Sequence, residues 1–198
     1  MKLLAFSDLH RDLQGAGSLA ERSGDYDVVI AAGDFANQHD GLEETIDALS
    51  EIETPTILVP GNNETEDALR EACEDWSAAT VLHGASATVD GVEFFGLGAG
   101  VPTTPWDLSF DLTEEEAAAR LAGCAEGAVL VVHSPPYGHC DRSSGGDNLG
   151  SRAILDAIGR KRPPLAVCGH IHEAWGERSA IGPTEIANLG PHGTELEI

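Results

Sequence analysis

Basic residues are scarce in this chain. Eleven lysines and arginines stand against 34 aspartates and glutamates, and the formal net charge is -23. Only Lys2 and Lys161 are lysines. No stripe of basic residues exists to meet a phosphate backbone, which argues against nucleic acid as a partner. The acidic residues are spread along the chain and do not gather in a tail, so a disordered acidic segment does not account for them. Such a surface repels itself at low salt and is screened at molar salt, where the Debye length falls to about 3 Å. The composition therefore predicts a halophilic protein. Long apolar runs are also missing. None approaches the roughly 18 residues that a membrane helix needs. The apolar start is cut short by Asp8 and His10, which does not fit a secretory leader. A cytoplasmic protein with no membrane partner is expected. The cysteines Cys73, Cys124, Cys140 and Cys168 form no C-x-x-C pair and no zinc-ribbon spacing. Free thiols in or near the core are expected instead.

What is present is 198 residues, 41% of them hydrophobic, enough for one domain spanning 1–198 with a real core. Short apolar runs bounded by Gly, Pro or Asp predict strands at Lys2–Ser7, Asp27–Ala32, Thr56–Val59, Val92–Gly98, Val129–His133 and Leu165–Gly169. Apolar residues at helical spacing predict helices at Gly41–Ile52, Glu64–Asp75, Thr113–Ala122 and Ser151–Arg160. Thr113 and Glu116 form a capping-box pattern. Asp90-Gly91 reads as the turn of a hairpin between Ala85–Val89 and Val92–Gly98. Shorter strands are expected over Thr184–Ile198. Helices alternate with strands early and strands dominate late, which predicts an α/β sandwich with helices outside.

Five of the apolar strands finish on a polar residue. They run into Ser7-Asp8-Leu9-His10, Gly33-Asp34, Pro60-Gly61-Asn62-Asn63-Glu64, His133-Ser134-Pro135-Pro136 and Gly169-His170-Ile171-His172. Sites in α/β sheets form at the carboxyl ends of strands, so these ends would gather carboxylate, amide and imidazole ligands in one place. That set suits manganese, iron, cobalt, nickel or zinc, with no thiolate to select a softer ion. Alternate residues of a strand share a face, which would put Asp8 with His10 and His170 with His172. A lone carboxylate such as Asp34 can bridge two cations at roughly 3.5–4 Å.

The series D-x-H, G-D, G-N-x-E, H and G-H-x-H, in this order over positions 8 to 172, resembles the signature of the calcineurin-like metallophosphoesterase superfamily. It is most similar to the small archaeal and bacterial phosphoesterases and class III phosphodiesterases. The resemblance implies a four-layer αββα sandwich of two mixed β-sheets flanked by helices. It also implies two divalent metal ions, manganese first. Asp8, His10, Asp34 and His172 would hold one ion; Asp34, Asn62, His133 and His170 would hold the other. Asp34, Asn62, Asn63 and His133 would be the catalytic positions, and a hydroxide between the ions would attack a small phosphodiester or an activated phosphomonoester. The resemblance is compatible with a homodimer. It identifies no substrate-binding residue.

One position departs from the family, which usually has His where this chain has Asn63. An amide donates hydrogen bonds but is no general acid at neutral pH. Either the leaving group needs no proton, or His39, His139 or His192 supplies one. Alternatives are a catalytically weak dimetal scaffold and a phosphoprotein phosphatase. The phosphatase is disfavoured because no arginine follows Gly33-Asp34, and a nuclease by the acidic surface. His83 is expected at the surface before a turn. Trp76, Trp106 and Trp175 are expected to pack, with Trp106 the candidate to line a cleft. Arg142 and Arg152 are expected to pair with surface carboxylates. Loops Gly98–Asp107 and Gly138–Gly150 are where specificity would sit.

Overall fold

A computed structural model describes all residues, 1–198. In chain order the strands are β1 (Lys2–Phe6), β2 (Val28–Ala31), β3 (Thr56–Leu58), β4 (Ala79–Val81), β5 (Ala85–Val89), β6 (Val92–Leu97), β7 (Val129–Val132), β8 (Leu165–Cys168), β9 (Arg178–Ile181), β10 (Thr184–Asn188) and β11 (Thr194–Glu197). The helices are α1 (Leu13–Arg22), α2 (Leu42–Leu49), α3 (Glu66–Ala72), α4 (Glu114–Leu121) and α5 (Arg152–Lys161). One sheet has the order β11-β1-β2-β3-β4, the other β5-β6-β7-β8-β10-β9. Neighbours from β1 to β4 are parallel and β11 runs antiparallel at the edge. In the second sheet β6, β7, β8 and β10 are parallel, with β5 and β9 antiparallel at the two edges.

The strand sequences explain the layering. Parallel strands covered on both faces read as continuous apolar runs because each face has its own core to fill. Leu3 and Ala5 of β1, with Val28 and Ile30 of β2, point at the second sheet and meet Phe94, Val129, Val131 and Val167. The alternate residues Leu4, Phe6, Val29 and Ala31 pack outward under Leu19 of α1, Ile46 of α2 and Leu69 of α3. On the far side Leu97, Leu130 and Val132 pack under Leu121 of α4 and Ile154 and Ile158 of α5. The result is the αββα sandwich of two mixed sheets that the motif resemblance implied.

Most predicted elements are present with ends trimmed by one to three residues. The capping box is present, with Thr113 Oγ1 accepting from Glu116 N and Glu116 Oε2 accepting from Thr113 N. Asp90 and Gly91 both adopt positive φ in the β5–β6 turn, as a type I′ turn requires. Three elements were not anticipated. Helix α1 contains Gly15 and Gly17, which weaken the helical signal; the Asp12 cap on Gly15 N and the burial of Ala16 and Leu19 sustain it. Strands β4 and β9 are short edge strands with little apolar content. The helix expected from Glu64 begins at Glu66, because Thr65 caps it by accepting from Ala68 N and Glu64 turns inward.

The four cysteines are buried free thiols, as composition suggested. His83 corrects the expectation of a surface residue. It is 5% exposed, its Nδ1 accepts from Gly98 N, and its Nε2 finds no partner. No helix is long and apolar enough to cross a membrane.

Candidate metal centre

The carboxyl ends of β1, β2 and β3 in one sheet face those of β7 and β8 in the other. All seven proposed ligands lie just beyond these five ends. Oxygen and nitrogen atoms of Asp8, His10, Asp34 and His172 lie within 4.8 Å of one another, as do those of Asp34, His133 and His170. Asp34 belongs to both groups. Asn62 joins the second, its Oδ1 3.2 Å from His133 Nε2.

The local backbone is what aims these groups. Asp8, His10, Asp34 and His170 all have left-handed φ, at 55°, 45°, 58° and 68°. The expectation that strand alternation pairs Asp8 with His10 and His170 with His172 is therefore corrected. These residues lie past the strands, in a conformation that costs non-glycine residues of order 1 kcal/mol or more each. Backbone bonds hold them there. Asp8 N donates to Gly33 O and His10 N to Asp34 O, both at 2.9 Å, and His170 N donates to the Asp8 carboxylate at 3.0 Å. Glycine in the motifs permits the close approach. A Cβ on Gly61 would overlap the Asp34 carboxylate, and one on Gly169 would overlap Asp8 and Ser7.

The imidazoles are oriented with a lone pair toward the centre. His133 Nδ1–H donates to Ala32 O at 2.8 Å and His10 Nδ1–H to Ala36 O at 3.2 Å, leaving each Nε2 free. His10 Nε2 and His172 Nε2 then face each other at 3.1 Å. His10 Nε2 is 3.6 Å from Asp34 Oδ2, and His133 Nε2 is 3.5 Å from Asp34 Oδ1. These ring nitrogens and the Asp34 oxygens, which also accept from Asn63 N and Nδ2, converge as a set that a cation would satisfy. The donor chemistry fits a divalent first-row ion.

The carboxylates and imidazoles of the cluster perturb one another. Burial alone would raise the Asp34 carboxyl, yet the imidazoles of His133, His10 and His170 hold it below the usual carboxylate range. Asp8 is raised, chiefly by burial. Burial disfavours a charged His133, but the Asp34 and Asp8 carboxylates outweigh it and raise its pKa. Burial lowers His170 to about 3, so it is a neutral imidazole across the physiological range.

The sequence reading named Glu64, Ser7 and Trp175 but assigned none of them a part in supporting the site. Glu64 is fully buried and accepts from the backbone N–H groups of Gly61, Asp34, Phe35 and Ala36, tying the ends of β2 and β3 together. Burial and the neighbouring Asp34 raise its carboxyl to about 7. Ser7 Oγ donates to Asp8 Oδ2 at 2.5 Å. Trp175, expected only to pack, donates from Nε1 to Asp8 Oδ2 at 3.1 Å and lays its ring on His172, centroids 4.4 Å apart. Asn63 is committed to Asp34. Its Nδ2 donates to Asp34 Oδ2 at 2.8 Å while its Oδ1 accepts from Gln38 N at 2.8 Å.

The centre opens into a cleft of about 520 Å³, lined among others by His10, Asn63, Trp106, Leu108, His170 and His172. His39, His139 and His192 do not line it. His39 Nε2 hydrogen-bonds Leu108 O, and His139 Nδ1 bonds Ser179 Oγ. Arg152 lies over the Tyr137 ring at 3.8 Å, in a cation–π contact and not the expected carboxylate pair.

The model of the calcineurin-like phosphoesterase superfamily domain matches residues 1–196. The chain belongs to that superfamily. The chain is 28% identical over 207 residues to a UPF0046 protein of Caenorhabditis elegans, covering 94% of this chain and 68% of that one. It superposes on a Thermus thermophilus protein with a TM-score of 0.78 at 17% identity, over 96% of this chain and 89% of that one. An archaeal phosphodiesterase matches with a TM-score of 0.58 at 18% identity, over 96% and 84%. At these identities the structural likeness is one of fold.

Proposed function

We propose that this phosphoesterase hydrolyses small phosphodiesters, using two divalent ions, manganese first among iron, cobalt, nickel and zinc. The observation that carries the reading is that the two potential ligand groups share Asp34. Asp8, His10, Asp34 and His172 would hold one ion; Asp34, Asn62, His133 and His170 would hold the other. When bound, such ions supply Lewis acidity and a water acidified to near neutral pH.

The remaining work falls to the chain. The Ala32 and Ala36 carbonyls fix the His133 and His10 tautomers, and Asn63 steadies the Asp34 carboxylate. Closing these groups into a fixed array before substrate arrives avoids reorganisation during reaction. No Lys or Arg lines the cleft, which favours a monoanionic diester over a dianionic monoester. No imidazole outside the proposed ligand set lines it either, so a leaving group must depart without a positioned acid. General acid catalysis is worth about 10²–10⁴-fold, and turnover should favour activated esters accordingly. The archaeal phosphodiesterase of the same fold lends the reading support.

The test is hydrolysis of bis(p-nitrophenyl) phosphate by metal-stripped protein before and after Mn²⁺ addition. Turnover should require the metal and fall by at least about 10³-fold in Asp34→Asn. Bound metal without turnover would assign a binding or scaffold role instead.

A further inference from the structure

The chain exposes five large hydrophobic side chains, and three of them, Trp106, Leu108 and Leu149, line the cleft over the proposed metal centre. Trp106 and Leu108 are 60% and 69% exposed. On so acidic a surface this concentration is not scatter. An exposed apolar patch set among polar residues marks a binding site.

The loop that carries two of them is built to hold a shape. Asp111 closes its base, accepting from Thr104 N at 2.6 Å, Thr104 Oγ1 at 2.9 Å and Ser109 Oγ at 2.7 Å. Phe110 N donates to Asn62 O at 2.9 Å, which fastens the loop to a proposed ligand residue. His39 Nε2 holds the Leu108 carbonyl. The Trp106 ring stands edge-on to His170, centroids 6.1 Å apart at 65°. The Trp106 ring is thereby held beside a proposed metal ligand at the mouth of the site.

The charges around it narrow the occupant. The charged side chains in the cleft beyond the proposed ligands are Asp107 and Glu173, and neither Lys nor Arg is present. A second phosphate or a carboxylate on the substrate would meet these acids with no partner. An uncharged planar ring would stack on Trp106 and bury the two leucines.

We infer that Trp106, Leu108 and Leu149 form the specificity wall of the site, and that they select phosphodiesters in which one ester substituent is an uncharged aromatic ring. The inference rests on the phosphodiesterase reading for the reaction but predicts a binding preference measurable without turnover.

Diphenyl phosphate and dimethyl phosphate carry the same single charge and differ in the ring. Titrated calorimetrically into Mn²⁺-loaded protein, diphenyl phosphate should bind at least about 10-fold tighter, the scale of one aromatic stacking contact. Trp106→Ala should bring the two affinities together, and Trp106→Phe should restore most of the difference. Equal affinities in the unaltered protein, or a difference that survives Trp106→Ala, would overturn the wall. Trp106 is largely exposed, so its replacement spares the core. Should the affinity difference hold while bis(p-nitrophenyl) phosphate is not hydrolysed, the wall stands and the phosphodiesterase reading falls. Hydrolysis without the difference has the opposite meaning.

Discussion

His83 shows how much a single side chain's setting can differ from its neighbourhood in sequence. It precedes Gly84 and a polar strand, yet it lies under Phe110 with its rings 5.5 Å from that residue's. Burial, and then the nearby Arg120, lower its pKa to about 4. A histidine whose folded pKa lies below its unfolded one stabilises the fold fully above about 6.5, and that contribution is lost as pH falls toward about 4. Allowing for solvent screening of the charged neighbours, the loss should be about 2 kcal/mol. His83→Asn keeps an acceptor for Gly98 N and removes the titration. Urea unfolding at about pH 8 and about pH 5 should show a steeper fall for the unaltered protein than for the variant. At this scale the proposed ligands were legible because each follows an apolar run with a Gly or a fixed spacing. Ser7, Trp175 and Glu64 were not. Trp175 reaches Asp8 across 167 residues and Glu64 reaches Asp34 N across 30, whereas Ser7 bonds its neighbour Asp8 and is a residue type ordinary at a strand end.

Among elements, the ends of β2 and β3 matter more than their middles. Glu64 joins them through four backbone N–H groups, three of them at Asp34, Phe35 and Ala36. Removing the carboxylate would strand buried donors, each costing about 1–3 kcal/mol. Glu64→Ala should therefore destabilise the protein by at least about 3 kcal/mol. Denaturant midpoints measured for both proteins would check this; a loss below about 1 kcal/mol would mean that the clamp is replaced by water. The strands themselves were readable, since doubly covered parallel strands leave continuous apolar runs. The directions of the chain after them were not. Asp8, His10, Asp34 and His170 take left-handed φ, which Asp and His tolerate better than most residues but do not adopt by default. Only the tertiary bonds among these loops specify it. Helix α1 and the edge strands β4 and β9 escaped for a milder reason, their weak local patterning.

The whole molecule carries a net charge of -23 on a fold whose ion pairs are few and exposed, such as Arg70 with Glu66 and Arg178 with Glu185. Pairs of that kind contribute little. Self-repulsion should therefore govern stability, and the melting temperature should rise between low and molar KCl; equal or greater stability at low salt would contradict a halophilic adaptation. The acid surface also gives the apolar cleft its contrast and would set its single-charge preference. The reading as a whole stands or falls on two adjacent cations sharing Asp34. Metal-stripped protein, held in molar KCl and titrated with Mn²⁺ while bis(p-nitrophenyl) phosphate hydrolysis is followed, tests this most directly. The account predicts turnover that rises to a plateau at two equivalents of Mn²⁺ per chain and is lost in Asp34→Asn. Full activity at one equivalent, or activity indifferent to Asp34→Asn, would contradict it.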